Sequence, residues 1–212
     1  MKGIVMKTTL ELYGAQTGNS IRAAIALEEA GLSYTPRLVD LSSGAQRGAD
    51  HLALNPAGKV PVLVEKEQGQ EPFILTQSNA IILYAAEKAE GRLLPENDRD
   101  RAIVFERFFF FVTDVIVVSH AAFSLRGSSA EEGEKILMDR VLATLETAER
   151  YVAHNEFIAG ETFSAADIAA FTITQSMKSD LHWPKLPNLR RWFEQVEGRP
   201  AVQRGLQVFN RI

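Results

Sequence analysis

The stretch Asn55-Pro56-Ala57-Gly58-Lys59-Val60-Pro61-Val62-Leu63 decides how this chain is read. Two prolines flank a glycine and a lysine, and a hydrophobic strand follows. Pro61 has no N–H to give to a sheet, so it belongs at the first position of that strand. It also pushes Val60 into an extended conformation. Val60 then holds its N–H and C=O in an edge-like geometry with no assured partner in the chain, and an extended peptide ligand can pair with it by strand addition. A cis Val60–Pro61 bond would make the turn a built feature. Taken alone, the stretch is a loop entering a strand; its neighbours give it meaning.

Upstream, Leu10–Tyr13 alternates like a short strand. A polar turn over Gly14–Asn19 leads to an alanine-rich helix from Ser20 to Ala30, with Ser20 the expected cap and Gly31 where a left-handed C-cap belongs. Tyr34–Val39 reads as a second strand, and this spacing allows a right-handed parallel crossover. Residues 44–54 are helical or irregular. Val60–Val64 and Pro72–Leu75 read as a hairpin around the polar Glu65–Glu71 loop. A helix over Ser78–Ala89 follows. The order β-α-β then β-β-α describes a small mixed sheet.

Gly91–Asp98 breaks the pattern and is the expected linker. Nothing beyond Arg99 reads as strand. Ile103–Leu125 is a long apolar helix carrying Phe108, Phe109, Phe110 and Phe111. Four consecutive aromatics cannot share one face, so contact nearly all round is expected. Met138, Val141, Leu142, Leu145, Ala148 and Val152 form one helical stripe. Ser164 and Asp167 are spaced as a capping box that opens the helix Ile168–Gln175. The tail from Leu186 supplies a last helix pair. The chain thus divides into an α/β thioredoxin-like N-terminal domain (8–90), a linker (91–98) and an all-α C-terminal domain (99–212).

Composition excludes much. The 212 residues carry a formal charge of −4, which argues against nucleic acid as the main partner. There is no cysteine, so disulfides, thiolate metal sites and a cysteine nucleophile are excluded, and any thiol chemistry must use a thiol brought by a ligand. The four histidines show no ligand spacing, and no protein metal site is expected. No apolar run is read as spanning a membrane, and Met1–Lys7 lacks the features of a signal peptide. A cytoplasmic protein is expected.

This order of elements, with these residues, resembles the cytosolic glutathione transferase family over roughly Thr8 to Phe209. Four separated features carry the resemblance: Thr17-Gly18-Asn19-Ser20 opening the first helix, Asn55–Leu63 with Val60-Pro61, Gln77-Ser78 opening the third helix, and the Ser164–Asp167 capping box. The resemblance implies the glutathione transferase fold, with glutathione as co-substrate and no other cofactor. It implies that Val60 pairs its backbone with the cysteinyl part of glutathione ahead of a cis Pro61. Gln77 and Ser78 would hold the γ-glutamyl group, and Lys59 would lie near the tripeptide backbone or its glycyl end. Gln77 stands where glutamate is commoner in the family, so it brings no charge to the ligand's ammonium. Ser78, beginning a helix, is expected both to cap it and to meet a carboxylate at the positive end of the dipole.

The chemistry implied is a ligand thiolate at neutral pH. Lowering a thiol from about 8.5 to roughly 6.5 corresponds to roughly 2.7 kcal/mol. A helix N-terminus contributes about 0.3–1 kcal/mol, and one hydrogen bond to the charged sulfur about 1.5–3. One donor on the turn therefore suffices. Thr17 matches the serine-type classes, and the Thr17–Asn19 pair resembles the bacterial group related to yeast prion-protein-like, disulfide-reducing transferases. Tyr13 lies near the donor of the tyrosine-type classes, but its spacing to Arg22 is about two residues short. The order is Thr17, Asn19, Tyr13; all three also have local explanations as capping or strand residues.

Phe108–Phe111 leaves too much apolar surface for one small helical unit, so a homodimer is expected. The resemblance places a site for a small electrophilic or disulfide substrate between the Gly14–Gln16 loop and the helix carrying Phe108–Asp114. Transfer, peroxidase and disulfide-reductase activities, in detoxification or otherwise, stay open. A non-catalytic transferase-fold binding or regulatory protein is the rival from another class, disfavoured because the donors are kept. No membrane partner is expected.

Overall fold

A computed structural model describes residues 8–210 as two units. The first unit holds residues 8–89 and 200–210; the second runs from Glu90 to Arg199.

In the first unit, β1 (Thr9–Gly14), α1 (Gly18–Glu29) and β2 (Tyr34–Leu38) form the parallel crossover, with Leu10 opposite Tyr34. A 3₁₀ turn (Ala45–Arg47) and the short α2 (Ala49–Leu54) lead to β3 (Val62–Lys66) and β4 (Phe73–Thr76). β3 runs antiparallel to both neighbours, giving the order β2-β1-β3-β4, and α3 (Ser78–Glu87) follows. Leu12, Leu63, Ile25 and Ile81 are fully buried and form the core. Because side chains alternate along a strand, Glu11 and Tyr13 lie on the face opposite Leu10 and Leu12. Glu11 bonds Lys66 and Arg37, each at 2.6 Å. These cross-strand partners, Lys66 first, hold its carboxyl down at about 2.

The last helix, α10 (Pro200–Gln207), belongs to this first unit and not to the helical one expected over 99–212. The reason is a close approach onto α1. A Cβ at Gly205 would stand 2.5 Å from Ile25 Cγ1 and 2.9 Å from the Ile25 backbone, so only glycine fits. Arg204 pairs with Glu28 at 2.6 Å, and Gln16 Nε2 donates to Leu206 O at 3.0 Å.

The second unit is helical: α4 (Asp98–Phe109), α5 (Val117–Leu125), α6 (Glu131–Glu146), α7 (Ala148–Tyr151), α8 (Ala165–Met177) and α9 (Pro187–Glu197). A π-helical stretch, Phe110–Ile116, joins α4 to α5 into a run of 28 residues. Its most apolar 18-residue window has a mean hydropathy of 1.9, so by length and composition this helix could span a membrane, which corrects the reading that no segment reaches that length. It serves here as a core helix on one side: Phe108 and Phe111 are buried. Phe109 is 50% exposed, so the four phenylalanines are not enclosed all round within the chain.

α8 forms the centre of the unit, with every residue from Ala165 to Thr174 buried. Its capping box is present, with Ser164 extended at the N-cap and Asp167 at N3. The Asp167 carboxylate accepts from Ser164 N at 2.8 Å, Ser164 Oγ at 3.0 Å, Ile158 N at 2.9 Å and Trp192 Nε1 at 2.8 Å. Full burial pushes its carboxyl up, against these four donors.

Candidate functional site

Strand register gathers three loops at one end of the first unit's sheet. Tyr13 lies opposite Val62 across β1–β3, and Val62 lies opposite Thr76 across β3–β4. The turn after β1, the Val60–Pro61 turn before β3 and the β4–α3 junction therefore meet there. Thr17, Asn19, Lys59, Val60, Pro61, Gln77 and Ser78 all belong to these segments.

Helix α1 begins at Gly18, earlier than expected, and Thr17 rather than Ser20 is its N-cap. Thr17 is extended (φ −125°, ψ 151°), so its hydroxyl reaches back to accept from Ser20 N at 3.3 Å. It also donates to Ser20 Oγ at 3.1 Å, and Ser20 Oγ accepts from Ala15 N at 3.3 Å. Ser20 is buried beneath the turn. Rotating the two hydroxyls lets Ser20 donate to Thr17 instead, which frees the Thr17 proton for a ligand. Asn19, half-buried in the first turn, has a side-chain amide with no partner among the described residues. Tyr13 faces away from this cluster: its hydroxyl donates to Glu11 Oε2 at 3.3 Å, and burial, then Glu11, raise its pKa.

Arg22 enters the sequence pattern only as a spacing mark, yet its guanidinium is a feature of this corner. The residue is 2% exposed, and neither Nε nor Nη1 has a partner among the described residues. Burial lowers its pKa to about 10, so it stays charged at neutral pH. Its Nη2 lies 4.0 Å from where a Cβ on Gly18 would stand, beside the first turn of α1. Its signal in the sequence is a lone basic residue in an alanine-rich helix.

The turn before β3 is held from within. Asn55 Oδ1 accepts from Ala57 N at 3.1 Å, and Gly58 N donates to Asn55 O at 2.9 Å. Gly58 needs its freedom at φ +60°, where a Cβ would also press on Gln46 O at 3.2 Å. The Lys59 carbonyl accepts from Asn55 Nδ2 at 2.7 Å and bonds His51 Nε2 at 3.1 Å. The Lys59 side chain is exposed. The Val60–Pro61 bond is cis. Val60 is half-buried, and its N–H and C=O have no partner among the described residues.

At the start of α3, Gln77 occupies the N-cap position with φ +71° and ψ 112° and makes no side-chain cap. A non-glycine residue at positive φ stores strain that such sites concentrate. Ser78 is the first helical residue and not the cap; little of the residue is exposed, and its hydroxyl has no partner among the described residues. Ile81 N is the first amide to bond back, to Gln77 O at 3.1 Å, so the amides of Ser78, Asn79 and Ala80 stay free of backbone partners. Asn79 Oδ1 is also buried without a partner. Two helix N-termini with free donors and the Arg22 charge make this end of the sheet suited to an extended, anionic ligand. A separate hollow of about 650 Å³, lined by Tyr13, Leu38, Val39, Ala45, His51 and Leu54 among others, includes none of Thr17, Val60, Gln77 or Ser78.

Comparison with known proteins identifies the family and the fold. The family model for the glutathione S-transferase N-terminal domain matches residues 8–87, and that for the C-terminal domain matches residues 97–195. The disulfide-bond oxidoreductase YfcG of Escherichia coli K12 is 30% identical over 207 residues, covering 93% of this chain and 94% of that protein. The glutathione S-transferase GstB of the same strain is 30% identical over 210 residues, covering 94% and 98%. The crystal structure of glutathione transferase YghU from Streptococcus pneumoniae, complexed with glutathione, is 28% identical. Its TM-score is 0.84 over 94% of this chain and 83% of that one. A glutathione transferase from Burkholderia graminis, solved with two glutathione molecules bound per subunit, is 27% identical, with a TM-score of 0.82 over 94% and 88%.

Proposed function

Because the chain belongs to the glutathione S-transferase family, we propose that it binds glutathione at this end of the sheet and uses its thiolate as a nucleophile. Val60 pairs with the cysteinyl backbone, its N–H donating and its C=O accepting, as a strand would. Ser78 and the free amides of α3 take the γ-glutamyl carboxylate, with Gln77 beside it. Lys59 faces the glycyl end. Thr17 and the free amide of Asn19 are the donors that hold the sulfur as thiolate, and the Arg22 charge favours the same ionised form. The observation that carries this reading is the unpaired Val60 backbone beside the free first-turn amides of α3.

Disulfide reduction is the reaction this chemistry favours. The thiolate of one glutathione attacks a disulfide sulfur, forming a mixed disulfide and releasing the first thiol. The thiolate of a second glutathione then attacks the glutathione sulfur of that mixed disulfide. Glutathione disulfide forms and the second thiol leaves. With no cysteine in the chain, both attacking sulfurs come from glutathione. A relative that holds two glutathione molecules per subunit and one named a disulfide-bond oxidoreductase support this ordering. Transfer to a carbon electrophile, and reduction of a hydroperoxide in the manner of a detoxifying enzyme, use the same thiolate. A reducing, cytoplasmic setting suits all three.

The test is a panel in which purified protein and glutathione meet hydroxyethyl disulfide, chlorodinitrobenzene and a hydroperoxide. Turnover of the disulfide above the other two is expected. Retention on immobilised glutathione with no turnover of any substrate would replace the enzyme by a non-catalytic binding protein.

A further inference from the structure

We propose that His51 is a positioning residue, which with Asn55 aims the backbone of Val60 at the peptide ligand. The observation is the double hydrogen bond on one carbonyl. Lys59 O receives Asn55 Nδ2 at 2.7 Å and His51 Nε2 at 3.1 Å. A backbone carbonyl has two lone pairs and no proton, so both are satisfied and His51 must carry its proton on Nε2. Asn55 already shapes its own turn through Ala57 N, and is held there. His51 comes from a different element, α2, and is itself buried.

What this clamp controls follows from peptide geometry. The Lys59–Val60 peptide is trans, the cis bond being the next one. In a planar trans unit the C=O and the N–H point in opposite directions. Fixing Lys59 O towards His51 and Asn55 therefore turns Val60 N–H away from the chain's own donors and acceptors. That N–H has no partner among the described residues. The clamp orders the group before the ligand arrives, so less freedom is lost on binding. A histidine at this place acts without entering the thiol chemistry.

The inference rests on the reading that Val60 pairs with the cysteinyl unit of glutathione, and the experiment separates the two. Wild type, His51→Phe, His51→Met and His51→Gln are compared for glutathione affinity by calorimetry and for melting temperature. Phe keeps the ring and Met a flexible apolar filling, but neither has the donor. Gln places an amide N–H the same number of bonds from Cα as Nε2. Loss of one net hydrogen bond predicts an affinity about fivefold to tenfold weaker in the Phe and Met variants, with Gln restored to within about twofold. A glutathione analogue whose cysteinyl carbonyl is reduced to methylene lacks the acceptor for Val60 N–H. Its deficit relative to glutathione should shrink in the Phe variant, because the aimed N–H no longer matters as much.

Unchanged affinity in the Phe and Met variants would overturn the inference. So would a weakening that follows the melting temperature, that Gln does not restore, and that the analogue shares in full. Absence of glutathione binding by wild type would instead remove the functional reading on which it stands.

Discussion

Ser78 illustrates what a single residue contributes at this site. Its hydroxyl stands at the first position of α3 and bonds nothing within the described chain, while the cap position is Gln77, whose side chain makes no cap. A hydroxyl left unpaired there is available to a ligand carboxylate, and its removal costs the fold little. Ser78→Ala should therefore weaken glutathione binding about tenfold or more, through loss of a hydrogen bond to a charged group worth about 1.5–3 kcal/mol. The melting temperature should barely move. Equal affinity in calorimetry would put the γ-glutamyl group elsewhere. The sequence points to this residue because serine before an apolar helix is a start signal, but it leads to the wrong helical position. Cap and first residue differ by one place, and Gln77 takes the cap only because its backbone adopts φ +71°. Nothing in a glutamine announces that. Thr17 shows the same one-turn ambiguity: threonine, asparagine and serine are all good caps, and the hydrogen bond that chooses Thr17 depends on the path out of β1.

Among the elements, α8 is the one most legible from residue spacing. Ser164 and Asp167 stand three apart ahead of an apolar run, and such spacing reflects a local bond. What spacing alone does not disclose is that Asp167 also takes Ile158 N and the Trp192 indole, from outside the helix. Asp167→Ala would leave three buried N–H donors unsatisfied. The unfolding free energy should fall by at least about 3 kcal/mol, seen in denaturant titration, while glutathione affinity per folded molecule stays unchanged. A lost affinity at unchanged stability would contradict the structural role. Two other elements escape a reading of the sequence for physical reasons. The π stretch Phe110–Ile116 arises from one extra residue in a helix that keeps its apolar character, so periodicity does not reveal it. The membership of α10 in the first unit depends on Gly205 meeting Ile25, about 180 positions away in sequence, a contact no local pattern encodes.

For the molecule as a whole, large apolar side chains left in water demand an explanation. The first unit exposes Phe73 at 48% and Ile74 at 38%; the second exposes Phe109, Val117, Phe123 and Ile136 at 50–66%. Surfaces of this kind favour association with a second copy. We therefore expect a homodimer at micromolar concentration, and sedimentation showing a monomer would refute it. The order of elements is readable because turn residues and apolar runs mark each one. The site is readable as a set of loops, but not as individual hydrogen bonds, since those depend on strand register. The central claim is that these loops stabilise a ligand thiolate. The measurement that meets it most directly is an ultraviolet titration of the thiolate of glutathione bound to wild type, Thr17→Ala, Asn19→Ala and Tyr13→Phe. A bound pKa near 6.5, about two units below the free thiol, is predicted for wild type. Removing Thr17 or Asn19 should raise it by about one to two units, and removing the Tyr13 hydroxyl, which bonds Glu11, should leave it in place. A bound thiol that titrates near 8.5 in wild type, or a shift largest for Tyr13→Phe, would contradict the account.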